Sequence, residues 1–155
     1  MIQLGNVQHG VMIAQAAHTG FDPHVDRCIS RSIGFDHLLG GFIMTNYTGS
    51  IIFDHMAGVG GHWCSPELMW VIFDYQFEQL GVQKVMCTVS SKNHRALNLV
   101  QRAGFELEHS IRDGVPNGKL HLFSMLRDKC KWLRLRDRYF RVNGGHRGEH
   151  VHVQA

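Results

Sequence analysis

Between residues 90 and 108 the chain reads SSKNHRALNLVQRAGFELE, and its apolar positions follow the helical period. Ala96, Leu99, Val100 and Ala103 fall at i, i+3, i+4 and i+7, while His94, Arg95, Gln101 and Arg102 fill the other face. Asn93 stands where an N-cap accepts from the first turn, and Gly104 where a helix leaves through left-handed geometry. Phe105 follows, placed for the hydrophobic contact that accompanies such an exit.

The same reading orders the rest of the chain. Residues 11–17 are apolar and alanine-rich, so the first fifth of the chain is expected to be helical up to the turn chemistry of Gly20, Phe21, Asp22 and Pro23. Residues 28–33, 38–47 and 50–57 are β-favouring runs divided by short breaks, which predicts a three-stranded antiparallel meander. Ser65, Pro66 and Glu67 open a helix by N-cap, first-position proline and first-turn acid, and Gly81 stops it after Leu80. Apolar residues lie on nearly every side of that helix, so it is expected to be buried. Residues 82–90 alternate as a strand. Residues 105–112 and 119–126 form a hairpin around Asn117-Gly118, and residues 127–138 are expected to form a terminal helix.

Composition narrows the class. At 155 residues, 44% hydrophobic and 19% charged, the chain suits one folded domain over residues 1–140 with a flexible Gly/His-rich tail over 141–155. The net charge of +3 gathers at the end, in Arg134, Arg136, Arg138, Arg141 and Arg147; a solvated face accounts for it better than nucleic-acid contact. Cys28, Cys64, Cys87 and Cys130 lack ligand or CxxC spacing and read as reduced thiols. The longest apolar run, residues 68–73, is far below a membrane span, and no leader pattern opens the chain, so a cytoplasmic protein without membrane contact is expected. His146, His150 and His152 are the nearest approach to a metal motif, but they have no acidic or cysteine partner, and no metal site is expected.

The order of elements, an α/β (α+β) arrangement, resembles the GNAT superfamily of acyl-CoA N-acyltransferases. The resemblance rests on residues 73–82 (FDYQFEQLGV), on Asn93, His94, Arg95 and Ala96, on Gly104 to Glu108 (GFELE), and on Ser124, Met125 and Leu126. It implies a mixed central sheet flanked by helices, with one strand pair splayed and acyl-CoA lying in the gap along residues 50–57. It also implies acetyl-CoA as co-substrate and a primary amine of a protein or small molecule as acceptor, attacking directly; a homodimer is compatible with it. The short chain and residues 73–82 further resemble GNAT proteins encoded by bacteriophages, which would place the protein in a bacterial host's cytoplasm.

Two departures from the family pattern stand out. Residues 58–65 occupy the place of the diphosphate loop without spelling its motif: Gly60 and Gly61 offer close-approach backbone, but Pro66 lacks an N–H. Val100 falls where many members carry a tyrosine that protonates the leaving thiolate. A fold-retaining module that binds acyl-CoA or a macromolecule with weak or no catalysis is therefore the alternative.

Asp54 and His55 are neighbours on opposite faces of the cofactor strand, so only one can face the cleft. His55 is the preferred general base, because an ordinary imidazole titrates near neutrality; Asp54 and water are the alternatives. The expected cofactor-binding residues are His55, Met56, Ala57, Gly60, Gly61, His62, Trp63, Ser65 and Asn93. For Trp63 a core anchor is the simpler role, and for Asn93 the cap itself.

Overall fold

A computed structural model of the chain describes residues 1–135. Seven strands form one mixed sheet in the order β1-β2-β3-β4-β5-β7-β6. In chain order the elements are β1 (Ile2–Leu4), α1 (Val7–Ala17), β2 (Arg27–Ile33), β3 (His37–Thr45) and β4 (Ile51–Gly58). Then come α2 (Pro66–Asp74), β5 (Lys84–Ser90), α3 (His94–Ala103), β6 (Glu106–Val115) and β7 (Gly118–Leu126).

The meander forms as expected, with β2, β3 and β4 pairing antiparallel. The first fifth is not all helix: Ile2–Leu4 pairs with β2, and residues 18–26 are turns and irregular chain. Three residues are too few for alternation to show in the sequence.

Alternate residues of β4 divide the core into two layers. Ile52 belongs to a large cluster with Phe42, Met44, Leu68, Ile72, Phe73, Val85 and Phe105, on the face covered by α2 and α3. Ala57 packs instead against a small cluster of Ile13, Ala14, Cys28, Leu38 and Ile43, beneath α1.

The α2 helix is not apolar all round in its burial. Leu68, Met69, Ile72 and Phe73 are buried and, in the π-helical turn that continues it (Tyr75–Gln79), so are Gln76 and Phe77; Trp70 and Val71 are only partly covered. The buried residues recur at i, i+1, i+4, i+5, i+8 and i+9, a single wide stripe. Ser65 caps the helix by accepting from the Leu68 N–H at 3.2 Å.

The α3 bracket is built as its sequence predicts. Asn93 accepts from the Ala96 N–H at 3.0 Å. Gly104 takes φ +103°, its N–H donating to Gln101 and that of Phe105 to Val100, the paired bonds of a Schellman exit.

After β7 the expected helix is replaced by two 3-10 turns, Arg127–Lys129 and Lys131–Arg134. Tertiary bonds hold that geometry: the Trp132 indole N–H donates to Ala103 O at 2.7 Å, and Lys131 Nζ to Arg102 O. The rest of the expected helix, the domain boundary at 140 and the tail with His146, His150 and His152 lie outside the described residues.

Candidate active site

The feature that organises the site is a failure of strand pairing. β4 and β5 run parallel and pair at only three positions, Ile51 with Lys84, Ile52 with Val85 and Phe53 with Met86. Beyond them β4 stays paired to β3 through Gly58, and β5 to β7 through Ser90. From Asp54 to Gly58 the β5-facing edge of β4 therefore has no strand partner among the described residues. Such an edge presents backbone N–H and C=O groups that an extended ligand can pair with, as an added strand would.

The gap widens toward the C-terminal ends of both strands, where α2 and α3 begin. Their first turns differ. α2 carries Glu67, its proline lacks an N–H, and Ser65 already satisfies Leu68. α3 has no acid in its first turn, which opens with His94 and Arg95, and Lys92 precedes its cap. An anion at this end of the gap meets more favourable charge at α3.

The loop between β4 and α2 is tied back to the sheet. The N–H groups of Val59 and Gly60 both donate to Leu39 O at 2.8 Å, so the Gly60 N–H is engaged within the protein. Gly61 has open space where a side chain would begin, and His62, at φ +54°, accepts from Arg31 Nη1 through its carbonyl at 2.7 Å. Trp63 lies against Phe42 with ring centroids 5.8 Å apart and covers Gly40 and Gly58, where any Cβ would collide with the indole. Trp63 is thus a core anchor here. Cys64 beside it is partly buried, and burial raises its thiol above the ordinary value, with Arg31 opposing.

Asp54 and His55 face opposite ways, as strand alternation requires. Asp54 is 2% exposed and accepts from Gln76 Nε2 at 2.5 Å on the α2 side. Burial pushes its carboxyl well above the usual range, and the Gln76 bond opposes that only in part. His55 is half-buried on the face beneath α1, its Nε2 3.2 Å from Thr45 Oγ1. Burial holds its imidazole below the ordinary value, partly offset by the negative charge of Asp26. Asn46 Nδ2 donates to the same Thr45 oxygen at 3.3 Å. If His55 Nε2 carries the ring proton and donates to Thr45, Nδ1 keeps a free lone pair, the form a base needs.

Met56 packs into the large cluster and Ala57 against the small one, so both bring backbone to the gap edge. Val100 is 1% exposed within the large cluster. Gln76 is a buried polar group at the site that sequence reasoning passed over; a glutamine on the apolar stripe, four residues after Ile72, was its only signal.

This topology, with a parallel pair that parts after three residues, can be set beside known structures. A spermidine/spermine N-acetyltransferase from Vibrio cholerae superimposes with a TM-score of 0.64 at 14% identity, over 83% of this chain and 93% of that one. A spermidine N-acetyltransferase from Vibrio cholerae in complex with CoA and spermine gives 0.61 at 15% identity, over 83% and 96%. An acetyltransferase of the GNAT family from Bacillus anthracis gives 0.56 at 11% identity, over 76% and 82%. The chain has the GNAT fold. The likeness is one of fold at these identities; no family model and no curated protein matches the chain by sequence.

Within the GNAT fold the gap between β4 and β5 is the element to which the sequence resemblance assigned acyl-CoA. Among the described residues no helix is long and apolar enough to cross a membrane, and no group of three or more His, Cys, Asp and Glu is placed to hold a metal ion.

Proposed function

We propose that the protein is an acetyl-CoA-dependent N-acetyltransferase acting on a primary amine. The observation that carries this reading is the unpaired edge of β4 from Asp54 to Gly58, in a sheet whose fold neighbours include an enzyme bound to CoA and spermine. The pantetheine arm pairs with backbone at His55, Met56 and Ala57, and the diphosphate lies at the wide end, near Gly61, His62 and the α3 mouth at Asn93. Lys92 and Arg95 supply positive charge there. Gly60 contributes position rather than a free N–H, and the Ser65 hydroxyl is engaged in capping Leu68.

In the reaction the amine lone pair attacks the thioester carbonyl carbon while a free backbone N–H on the β4 edge stabilises the oxyanion. His55, neutral at pH 7, takes the proton lost by the amine, directly or through one water. Collapse of the intermediate breaks the C–S bond. The thiolate takes its proton from water, since Val100 has no hydroxyl to offer. Asp26 lies near enough to act on His55 electrostatically, which favours a cationic acceptor on the α1 side.

Equilibrium binding of acetyl-CoA, followed by thiol release in a screen of polyamines, small amines and peptides, tests the proposal. Absence of acetyl-CoA binding at high micromolar protein sinks it.

The second reading is a non-catalytic acyl-CoA-binding module, favoured by the α2 mouth, where Pro66, Glu67 and the Ser65 cap leave little for a diphosphate. Tight binding with no thiol release for any acceptor would select it. A bacteriophage-encoded member working in a host cytoplasm, and a homodimer, extend the first reading; sedimentation of the purified chain decides the dimer.

A further inference from the structure

At the root of the gap, two polar atoms are buried without a partner among the described residues: Asp54 Oδ2 and Gln76 Oε1. They are the remaining polar atoms of two side chains that are already joined, Gln76 Nε2 donating to Asp54 Oδ1 at 2.5 Å. Both orphans are acceptors if Asp54 is ionised, and burying two acceptors without a donor is costly. One proton on Asp54 Oδ2 resolves both, because the acid O–H then donates to Gln76 Oε1 and closes a ring of two hydrogen bonds.

We propose that Asp54 is held as a neutral carboxylic acid in a two-bond ring with Gln76, and that this ring pins the point at which β4 and β5 part. Asp54 is the first residue of β4 beyond the last paired position, Phe53 with Met86. Gln76 lies in the π-helical turn, the continuation of the helix that leaves the wide end of the gap. The ring joins the strand at the narrow end to that helix and leaves the β4 backbone edge free. Asp54 and Gln76 are thus positioning residues, in a role that rests on the gap being the acyl-CoA site.

The surroundings suit a neutral acid. Asp54 is buried on the face of β4 that carries Ile52, with Met44 opposite it on β3, and both of these belong to the large apolar cluster. The titratable neighbour is Cys87 on β5, itself buried, and burial pushes its thiol far up. His55 turns to the other face.

The test needs no turnover. A carboxyl whose folded pKa lies above its unfolded value contributes stability in full below the unfolded value, about pH 4. That contribution is lost as pH rises toward the folded value. Asp54→Asn keeps both bonds without a titrating proton. The ratio of unfolding constants, wild type over Asp54→Asn, should therefore grow by up to about tenfold per pH unit above pH 4 until the folded value is reached. Parallel curves overturn the proposal. Infrared spectra of wild type labelled with 13C-aspartate read the same proton without any substitution: a protonated-carboxyl band at pH 7 supports the ring, and its absence overturns it.

For the positioning role, Asp54→Asn should leave KM for acetyl-CoA within about twofold, while Asp54→Leu raises KM more than it lowers kcat. Equal KM in both variants overturns that role while leaving the ring, and the acetyltransferase reading, to their own tests.

Discussion

The two faces of β4 carry adjacent polar residues with opposite fates. Beneath α2, Asp54 is sealed into the larger core and bonded to Gln76. Beneath α1, His55 is half-buried beside Thr45, over a small cluster of five buried residues. Thick apolar cover converts a carboxyl into a neutral structural group, whereas thinner cover lowers an imidazole pKa yet leaves it accessible to exchange protons. The face suited to acid-base chemistry is therefore the one with less core beneath it, and the face with more core sets the shape of the gap.

That contrast breaks hardest at Phe73. Its ring lies 6.0 Å from both Phe77 and Phe105, so it joins the π-helical turn to the exit of α3. Phe73→Ala should cost about 3–5 kcal/mol, read as a lowered urea midpoint. A loss below about 1 kcal/mol would mean that the α2 face is no better packed than the α1 face.

On the other face the largest effect should fall on rate. His55→Gln should lower kcat/KM by about 10²–10⁴-fold with little change in unfolding midpoint, as for loss of a general base. The wild-type rate should rise with pH through the His55 pKa, because the neutral ring is the active form. Burial places that limb below the ordinary histidine value. Asp26 raises the His55 pKa, so Asp26→Asn should move the limb to still lower pH. A limb unmoved by Asp26→Asn, together with an undiminished rate in His55→Gln, assigns the base elsewhere. No tyrosine-like alkaline limb is expected, given Val100.

What could be read from the chain beforehand follows the same division between local and tertiary causes. The α3 bracket was legible because capping is local: Asn93 and Gly104 act on backbone within a few residues of themselves. The meander and the opposite facing of Asp54 and His55 were legible because strand alternation is local as well. Where β4 stops pairing with β5 is a tertiary fact with no compositional mark, and so is the choice of which face of β4 is open. Residues 127–135 misled for a related reason. Their charge and apolar spacing suit a helix, but Trp132 and Lys131 are recruited by the carbonyls at the end of α3. The loop at Gly60 looked like free backbone in sequence and is bonded to Leu39 in the fold.

A smaller effect separates capping from cofactor contact at the α3 mouth. Asn93→Ala removes the bond to Ala96 N–H and should cost about 1 kcal/mol of stability. Asn93→Ser keeps a cap, so it should restore stability. If Asn93 also touches acetyl-CoA, the Ser variant will still bind it more weakly than wild type; equal binding reduces Asn93 to a cap alone.

The smallest effect belongs to the outer rim. Arg127 grips Glu78 with Nη2 on both carboxylate oxygens, at 2.9 and 3.1 Å, and with Nε on one at 3.1 Å. The bond joins the π-helical turn to the end of β7 across a groove at the narrow end of the sheet. Arg127 is 58% exposed and Glu78 34%, so water and salt screen the pair despite its forked geometry. A double-mutant cycle with Glu78→Gln and Arg127→Met should give a coupling below about 1 kcal/mol in low salt and less in high salt. A coupling that stays above that value in high salt would show that the narrow end is held by its surface charges as well as by Phe73.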